Sequence, residues 1–283
     1  MLSTFLIAIR EGLEASLIIG ILIAYLVRSG RRSTLPFVWL GVGIAVLLAL
    51  GFGAILTFTS AQLSLAGEQL FAGITSLSAV ALVTWMVFWM RSNARSIAKE
   101  IHGKVDSALA MGKVALTFTA LFTVAREGLE TSLFLYANFK TVKQDTAPLA
   151  GLILGIFAAV TLGVLLYKRS ININLSKFFR VTGVALIVVA GGVLIHGVNE
   201  FQMRGQLPGV NSYAWNFGGD NSIFITLLDG SIGIANSMTW LQLAVYLAYL
   251  GITLAAFLKP LRSLNLTHSS DPSKKVTTLP TNV

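Results

Sequence analysis

Apolar residues run along this chain in blocks of membrane-crossing length, and the polar residues gather in short stretches between them. A bilayer core about 30 Å thick takes roughly 20 mostly apolar residues of helix to cross. Four blocks fit cleanly: Phe37 to Phe58, Leu70 to Met90, Leu149 to Tyr167 and Thr239 to Leu258. A shorter one, Val181 to Asn199, is interrupted late by His196. Two more, Leu2 to Val27 and Val114 to Phe139, carry charges in mid-span. The pattern predicts an all-α polytopic membrane protein with seven transmembrane helices.

The polar stretches orient these helices. Three basic residues follow the first helix (Arg28, Arg31, Arg32), and five follow the third, from Arg91 to Lys113. Four follow the fifth (Lys168, Arg169, Lys177, Arg180) and four the seventh (Lys259, Arg262, Lys274, Lys275). Sixteen of the 21 basic residues thus fall on one side, against Lys140, Lys143 and Arg204 on the other. Basic loops stay in the cytoplasm, which puts the N-terminus outside and the C-terminus inside, as an odd helix count requires. The outer side holds Glu68, Asp145, Glu200, Asp220 and Asp229, a weakly acidic mouth that suits a cation or is ordinary loop solubility.

The sequence also repeats itself. Residues 10–17 read REGLEASL and residues 126–133 read REGLETSL, seven identities in eight at an offset of 116. The second helix of each half carries small residues every fourth position: Gly41, Ala45, Ala49, Gly53 and Gly151, Gly155, Ala159, Gly163. Such stripes let helices approach closely in lipid. Three helices per copy is an odd number, so the second copy must start from the opposite side, giving a 3+3 inverted repeat plus one helix. Transporters of that build hold their substrate near the midplane, where the copies meet. The expected layout is a permease domain over 1–260, with repeat A at 1–92, repeat B at 113–199, an outer loop at 199–238 and helix seven at 239–258. A disordered cytoplasmic tail, rich in Ser, Thr, Pro and Lys, is expected over 261–283.

At about 100° per residue, Arg10, Glu14 and Glu11 fall at roughly 0°, 40° and 100°, on one helix face. Arg126, Glu127 and Glu130 repeat that face, while Ala8, Gly12, Ser16, Gly20 and Ala24 line another. An Arg-Glu pair at i, i+4 that only holds helices together accounts for one carboxylate per motif. Glu11 and Glu127 are left over, since four glutamates face two arginines. A bound cation neutralises the excess, and so would protonation of two glutamates. Carboxylates suit hard ions such as Fe(III), Fe(II), Mn, Ca or Mg. Spacing does not choose among them.

Composition closes other routes. Only 12% of residues are charged, 55% are hydrophobic and the mean hydropathy is +0.77, far from a soluble domain. The net charge of +9 sits in membrane-flanking loops, so no nucleic-acid partner is expected. With no cysteine, disulfides, iron-sulfur clusters, thiolate metal sites and Cys nucleophiles are excluded. No G-x-x-x-x-G-K-[ST] run is present to bind ATP. An intramembrane enzyme using the carboxylates as acid and base lacks a nucleophile constellation, and helix seven has no lysine for a retinal Schiff base. The first helix, interrupted by Arg10, Glu11 and Glu14, does not read as a cleavable signal.

With its two Arg-Glu-Gly-Leu-Glu motifs in seven helices, the chain resembles the oxidase-dependent iron permeases of fungi and bacteria, the bacterial ones above all. The similarity extends through TWMVFWM at 84–90 and VDSAL at 105–109 over nearly the whole chain. It implies a high-affinity permease of the cytoplasmic membrane that moves iron into the cell, with no resident cofactor and no enzymatic activity. The implied iron-handling residues are Glu11, Glu14, Glu127 and Glu130, supported by Arg10 and Arg126. The implied partners are membrane lipid, an extracytoplasmic iron-binding protein and a haem peroxidase. Mn and Pb are alternative cargoes. Relatives are more acidic at the start of helix three, where this chain has Glu68, Gln69 and Ala72. Accessory candidates are Glu68, the i, i+4 pair His196 and Glu200, and Asp229 in the outer loop. Met86 and Met90, beside Trp85, Phe88 and Trp89, read as interfacial packing.

Overall fold

The structure is a computed structural model of the 283-residue chain, and it describes residues 1–93, 103, 107–108, 110–141, 147–167, 175–216 and 232–259. Among them are seven long helices: α1 (Leu2–Arg28), α2 (Leu35–Gln62), α3 (Leu65–Asn93), α4 (Lys113–Thr141), α5 (Ala147–Tyr167), α6 (Leu175–Met203) and α7 (Trp240–Leu258). A 3-10 turn, Arg32–Thr34, precedes α2. Two short antiparallel strands, β1 (Tyr213–Asn216) and β2 (Ser237–Thr239), lie between α6 and α7.

Five helical stretches are long and apolar enough to cross a membrane: Arg32–Gln62, Leu65–Ser92, Pro148–Leu166, Lys177–Met203 and Trp240–Leu258. The chain is therefore a polytopic helical membrane protein. The other two long helices, α1 and α4, carry the Arg-Glu-x-x-Glu charges in mid-course. Wide apolar faces of α2 and α5, including Leu47, Leu50, Ile55, Ile153 and Phe157, stay uncovered by protein, as surfaces against hydrocarbon must.

Packing follows the small-residue stripes. The α1 stripe meets the α5 stripe position by position: a Cβ added to Gly155 would lie 2.6 Å from Ala8 Cβ, and one on Gly163 would lie 2.5 Å from Ser16 Cβ. A Cβ added to Gly12 would lie 2.8 Å from Ala159 Cβ. Likewise α2 meets α4, where a Cβ on Gly41 would lie 3.1 Å from Ala120 Cβ and one on Gly128 would lie 2.8 Å from Ala49 Cβ. Numbers rise together along both seams, so both pairs are parallel. The third main contact joins α3 to α6. Exchanging helices one to three with four to six leaves this pairing scheme unchanged.

Both motif helices also touch each other, and they run antiparallel. Ser3 at the start of α1 donates to Asn138 Oδ1 near the end of α4 at 2.9 Å, and Leu22 and Leu26 share an apolar cluster with Leu116 and Ala120 at the opposite end.

Helix α7 docks on α6 through a polar network. Gln242 donates to Gln202 Oε1 at 2.9 Å and to Asn199 Oδ1 at 3.2 Å, and Thr239 donates to Gln202 Oε1 at 3.2 Å. Thr239 and Gln242 also form a reciprocal capping box that starts α7. These bonds satisfy polar groups at the end of α6 and carry it past the expected Asn199 to Met203. Ile232 and Gly233 return against α6 at Gly192, an approach open only to glycine, with Gly233 at φ +75. Asp229, most of VDSAL and the expected tail at 261–283 lie outside the described residues.

Candidate metal centre

Antiparallel packing of α1 on α4 turns the two copies of the motif toward one another. Glu11, Glu14 and Glu127 come together so that one carboxylate oxygen from each lies within 4.8 Å of the others, and all three residues are buried. Three of the four expected ligands thus form one group drawn from both motifs. The fourth, Glu130, is also buried, but its Oε1 accepts from Arg126 Nε at 3.1 Å and it stands outside the group of three.

The arginines hold one carboxylate each, at the i, i+4 spacing expected from sequence. Arg10 Nε donates to Glu14 Oε1 at 3.1 Å, the same distance as in the Arg126–Glu130 pair. Arg126 Nε stands 3.9 Å from Glu127 Oε1, beyond hydrogen-bond reach. Both oxygens of Glu11 and one each of Glu127 and Glu130 are buried without a hydrogen-bond partner among the described residues. A carboxylate removed from water in this way costs roughly several kcal/mol, unless charge compensates it. Converging hard oxygens are the donor set that an iron or manganese ion accepts.

The surroundings differ on the two sides of this group. Toward the C-terminal end of α1 lies a cavity of about 610 Å³, walled by Glu14, Leu17 and Ile18 of α1 and by Thr119, Phe122, Thr123, Arg126 and Glu127 of α4. Trp89, Met90 and Phe179 close its far wall, with Gly103 and Ser107 at the α3–α4 connection. It lies at the end of the bundle that carries Arg28, Arg91, Lys113 and Lys177. Toward the other end, Ile7 and Phe134 pack into an apolar cluster with Val80, Val83 and Leu186. The void there is only about 10 Å³, at the lower limit for one water.

The accessory candidates stand apart. His196 Nε2 lies 3.6 Å from Glu200 Oε1 at the end of α6 remote from Phe179, and Glu68 is in the first turn of α3. Of the two methionines, Met86 is core and Met90 faces the cavity. Sequence reasoning missed two tryptophans: the Arg126 guanidinium carbon lies 5.0 Å from the Trp89 ring centre and 5.6 Å from that of Trp85. Their i, i+4 spacing on α3 was the available signal.

Comparison with known proteins agrees with the chemistry of this site. The sequence model of the Iron permease FTR1 family matches residues 1–266. The protein named Ferrous iron permease EfeU of Escherichia coli O6:H1 is 37% identical over 271 residues, covering 93% of this chain and 97% of its own. EfeU of Shigella sonnei gives the same identity and coverage, and EfeU of Yersinia pestis is 35% identical over 269 residues, with 93% and 95% covered. No solved structure matches the chain.

Proposed function

The chain belongs to the Iron permease FTR1 family, and from that premise we propose that it carries iron into the cell through the carboxylates of Glu11, Glu14, Glu127 and Glu130. It is a multi-pass integral protein of the plasma membrane. The observation that carries the proposal is the meeting of Glu11, Glu14 and Glu127, from two motifs 116 residues apart, with both oxygens of Glu11 buried and unbonded. Two carboxylates on one helix cannot fill the coordination of a hard cation wanting about six oxygens, whereas a site shared by both helices comes closer. The ion is the cargo, and the relatives' names make Fe(II) the first species to test.

In this reading all seven long helices cross the membrane, with the N-terminus outside and the C-terminus in the cytoplasm. The antiparallel motif helices and the exchange-invariant pairing support an inverted repeat of residues 1–92 and 113–199. The 610 Å³ cavity then faces the cytoplasm, while Ile7 and Phe134 close the outer side. Iron reaches the carboxylates from outside when that seal parts, exchanges water for glutamate oxygens, and leaves through the cavity. Arg10 and Arg126 balance the glutamates, since a guanidinium is no cation ligand. An extracytoplasmic iron-binding protein delivers the ion and a separate haem peroxidase acts on it.

Uptake of radiolabelled Fe(II) and Fe(III) into vesicles, each competed with Mn and Pb, tests the cargo. Saturable Fe(II) uptake lost in Glu11→Gln is expected, and uptake of Mn with indifference to iron would replace iron as the substrate. Because the chain has no cysteine, single introduced cysteines test the topology directly. Thr123→Cys is expected to react with a polar thiol reagent from the cytoplasmic side and Ile7→Cys with none. Labelling of Thr123→Cys from outside would invert the assignment.

A further inference from the structure

We infer that Trp85 and Trp89 are positioning residues for transport: they hold the Arg126 guanidinium on Glu130 and off Glu127, which leaves the Glu127 carboxylate open to the metal ion. The inference rests on the carboxylate group being the iron site.

An arginine beside a cation site is a standing competitor, because its charge is never lost and its fork matches a carboxylate. Arg10 is fixed by its surroundings, with its side chain 1% exposed and its Nε on Glu14. Arg126 has no such enclosure, since its side chain is 39% exposed and lines the cavity. Its side chain reaches into the cavity, yet Nε sits 3.1 Å from Glu130 and 3.9 Å from Glu127. The two indole rings supply a restraint on the guanidinium. Both ring centres lie within about 6 Å of the guanidinium, the range over which a ring quadrupole attracts a cation. One turn apart on α3, they face Arg126 together.

If the rings act only as interfacial packing, their loss harms the fold whatever stands at position 126. If they act through the guanidinium, their loss matters only while Arg126 is present. Calorimetric titration of the full chain in lipid nanodiscs with Fe(II), under anaerobic conditions, separates the two. Trp89→Leu is expected to weaken Fe(II) binding roughly five-fold, the worth of one partly desolvated cation–π contact, as the freed guanidinium turns to Glu127. Trp89→Phe, which keeps a ring, should recover part of the loss. In the Arg126→Gln background, Trp89→Leu should change nothing, the non-additivity expected of a ring that acts through the guanidinium.

Equal affinity in wild type and Trp89→Leu would overturn the proposal, as would the same fold-loss in both backgrounds. Loss of all Fe(II) binding in Arg126→Gln would also overturn it, making Arg126 a requirement instead of a competitor. A wild-type protein that binds no Fe(II) would instead overturn the iron-site reading beneath it. Should Trp89→Leu fail to insert, Trp85→Leu in the same two backgrounds decides the question with the same outcomes.

Discussion

The two copies of the motif differ at one position in eight, yet the structure gives them different surroundings. In the first copy the arginine is sealed, its side chain 1% exposed against Glu14. In the second copy the arginine faces a large cavity, rests on two indole rings, and shares that cavity wall with Glu127. A repeated sequence fixes repeated helix geometry, whereas solvent access comes from the helices packed around it. Both copies reach the cavity, the first through Glu14 and the second through Arg126 and Glu127, but the arginine exposed there is the second's.

The strongest way to break this comparison is to remove one carboxylate from each half. Glu11→Gln and Glu127→Gln keep volume and one oxygen but lose the charge that faces the ion. Each is expected to abolish most metal binding and uptake, and the double variant should be little worse than either, because residues acting as a unit are strongly non-additive. Calorimetric stoichiometry is the check: two ions in wild type and one in each single variant would mean two independent sites.

Next in size is the contrast between the arginines. Arg10→Ala leaves the buried Glu14 without its partner, and removing one partner of a buried pair costs about 3–5 kcal/mol. Arg126→Ala opens a pair in contact with the cavity, and about 1 kcal/mol is expected. Thermal unfolding in detergent should therefore separate the two variants clearly, and equal losses would erase the distinction between the sealed and the open arginine. Arg10→Lys, which keeps charge without the fork, should retain some transport where Arg10→Ala has none.

A smaller effect probes the feature the halves share. Gly12→Val on the α1–α5 seam and Gly128→Val on the α2–α4 seam both force side chains into closed contacts, at about 1–3 kcal/mol each. Similar losses of melting temperature are expected for both, as the equivalent seams require. Smallest of all, Thr123→Val removes a hydroxyl from the cavity wall that already donates to Thr119 O at 2.7 Å. Uptake should change less than about two-fold, since the hydroxyl's own bond stays within the helix.

Much of this was legible in the residues themselves. Hydropathy located the apolar helices, and the Arg-Glu-x-x-Glu spacing foretold that each arginine would take the glutamate one turn on. The stripes at Gly151, Gly155, Ala159 and Gly163 announced a tight neighbour without naming it, and the structure supplies Thr4, Ala8, Gly12 and Ser16. Thr239 and Gln242 carry a capping-box signature that sequence analysis could have used to start α7 at Trp240. The extension of α6 to Met203 was less readable, because Gln202 looks like a loop residue until Thr239 and Gln242 bond to it.

Local pattern, then, settled what one helix can settle alone: that the chain lives in a membrane, that the motif recurs after 116 residues, and which charges share a face. Those properties follow from helical periodicity and from the transfer cost of each side chain, and both are written in residues a few positions apart. Tertiary structure decided that Glu11, Glu14 and Glu127 converge while Glu130 turns to Arg126, and that one arginine is sealed while its copy stands at a cavity beside Trp85 and Trp89. Those outcomes depend on which helix fills the space beside each motif, a choice made by close-packed seams between residues far apart in the chain.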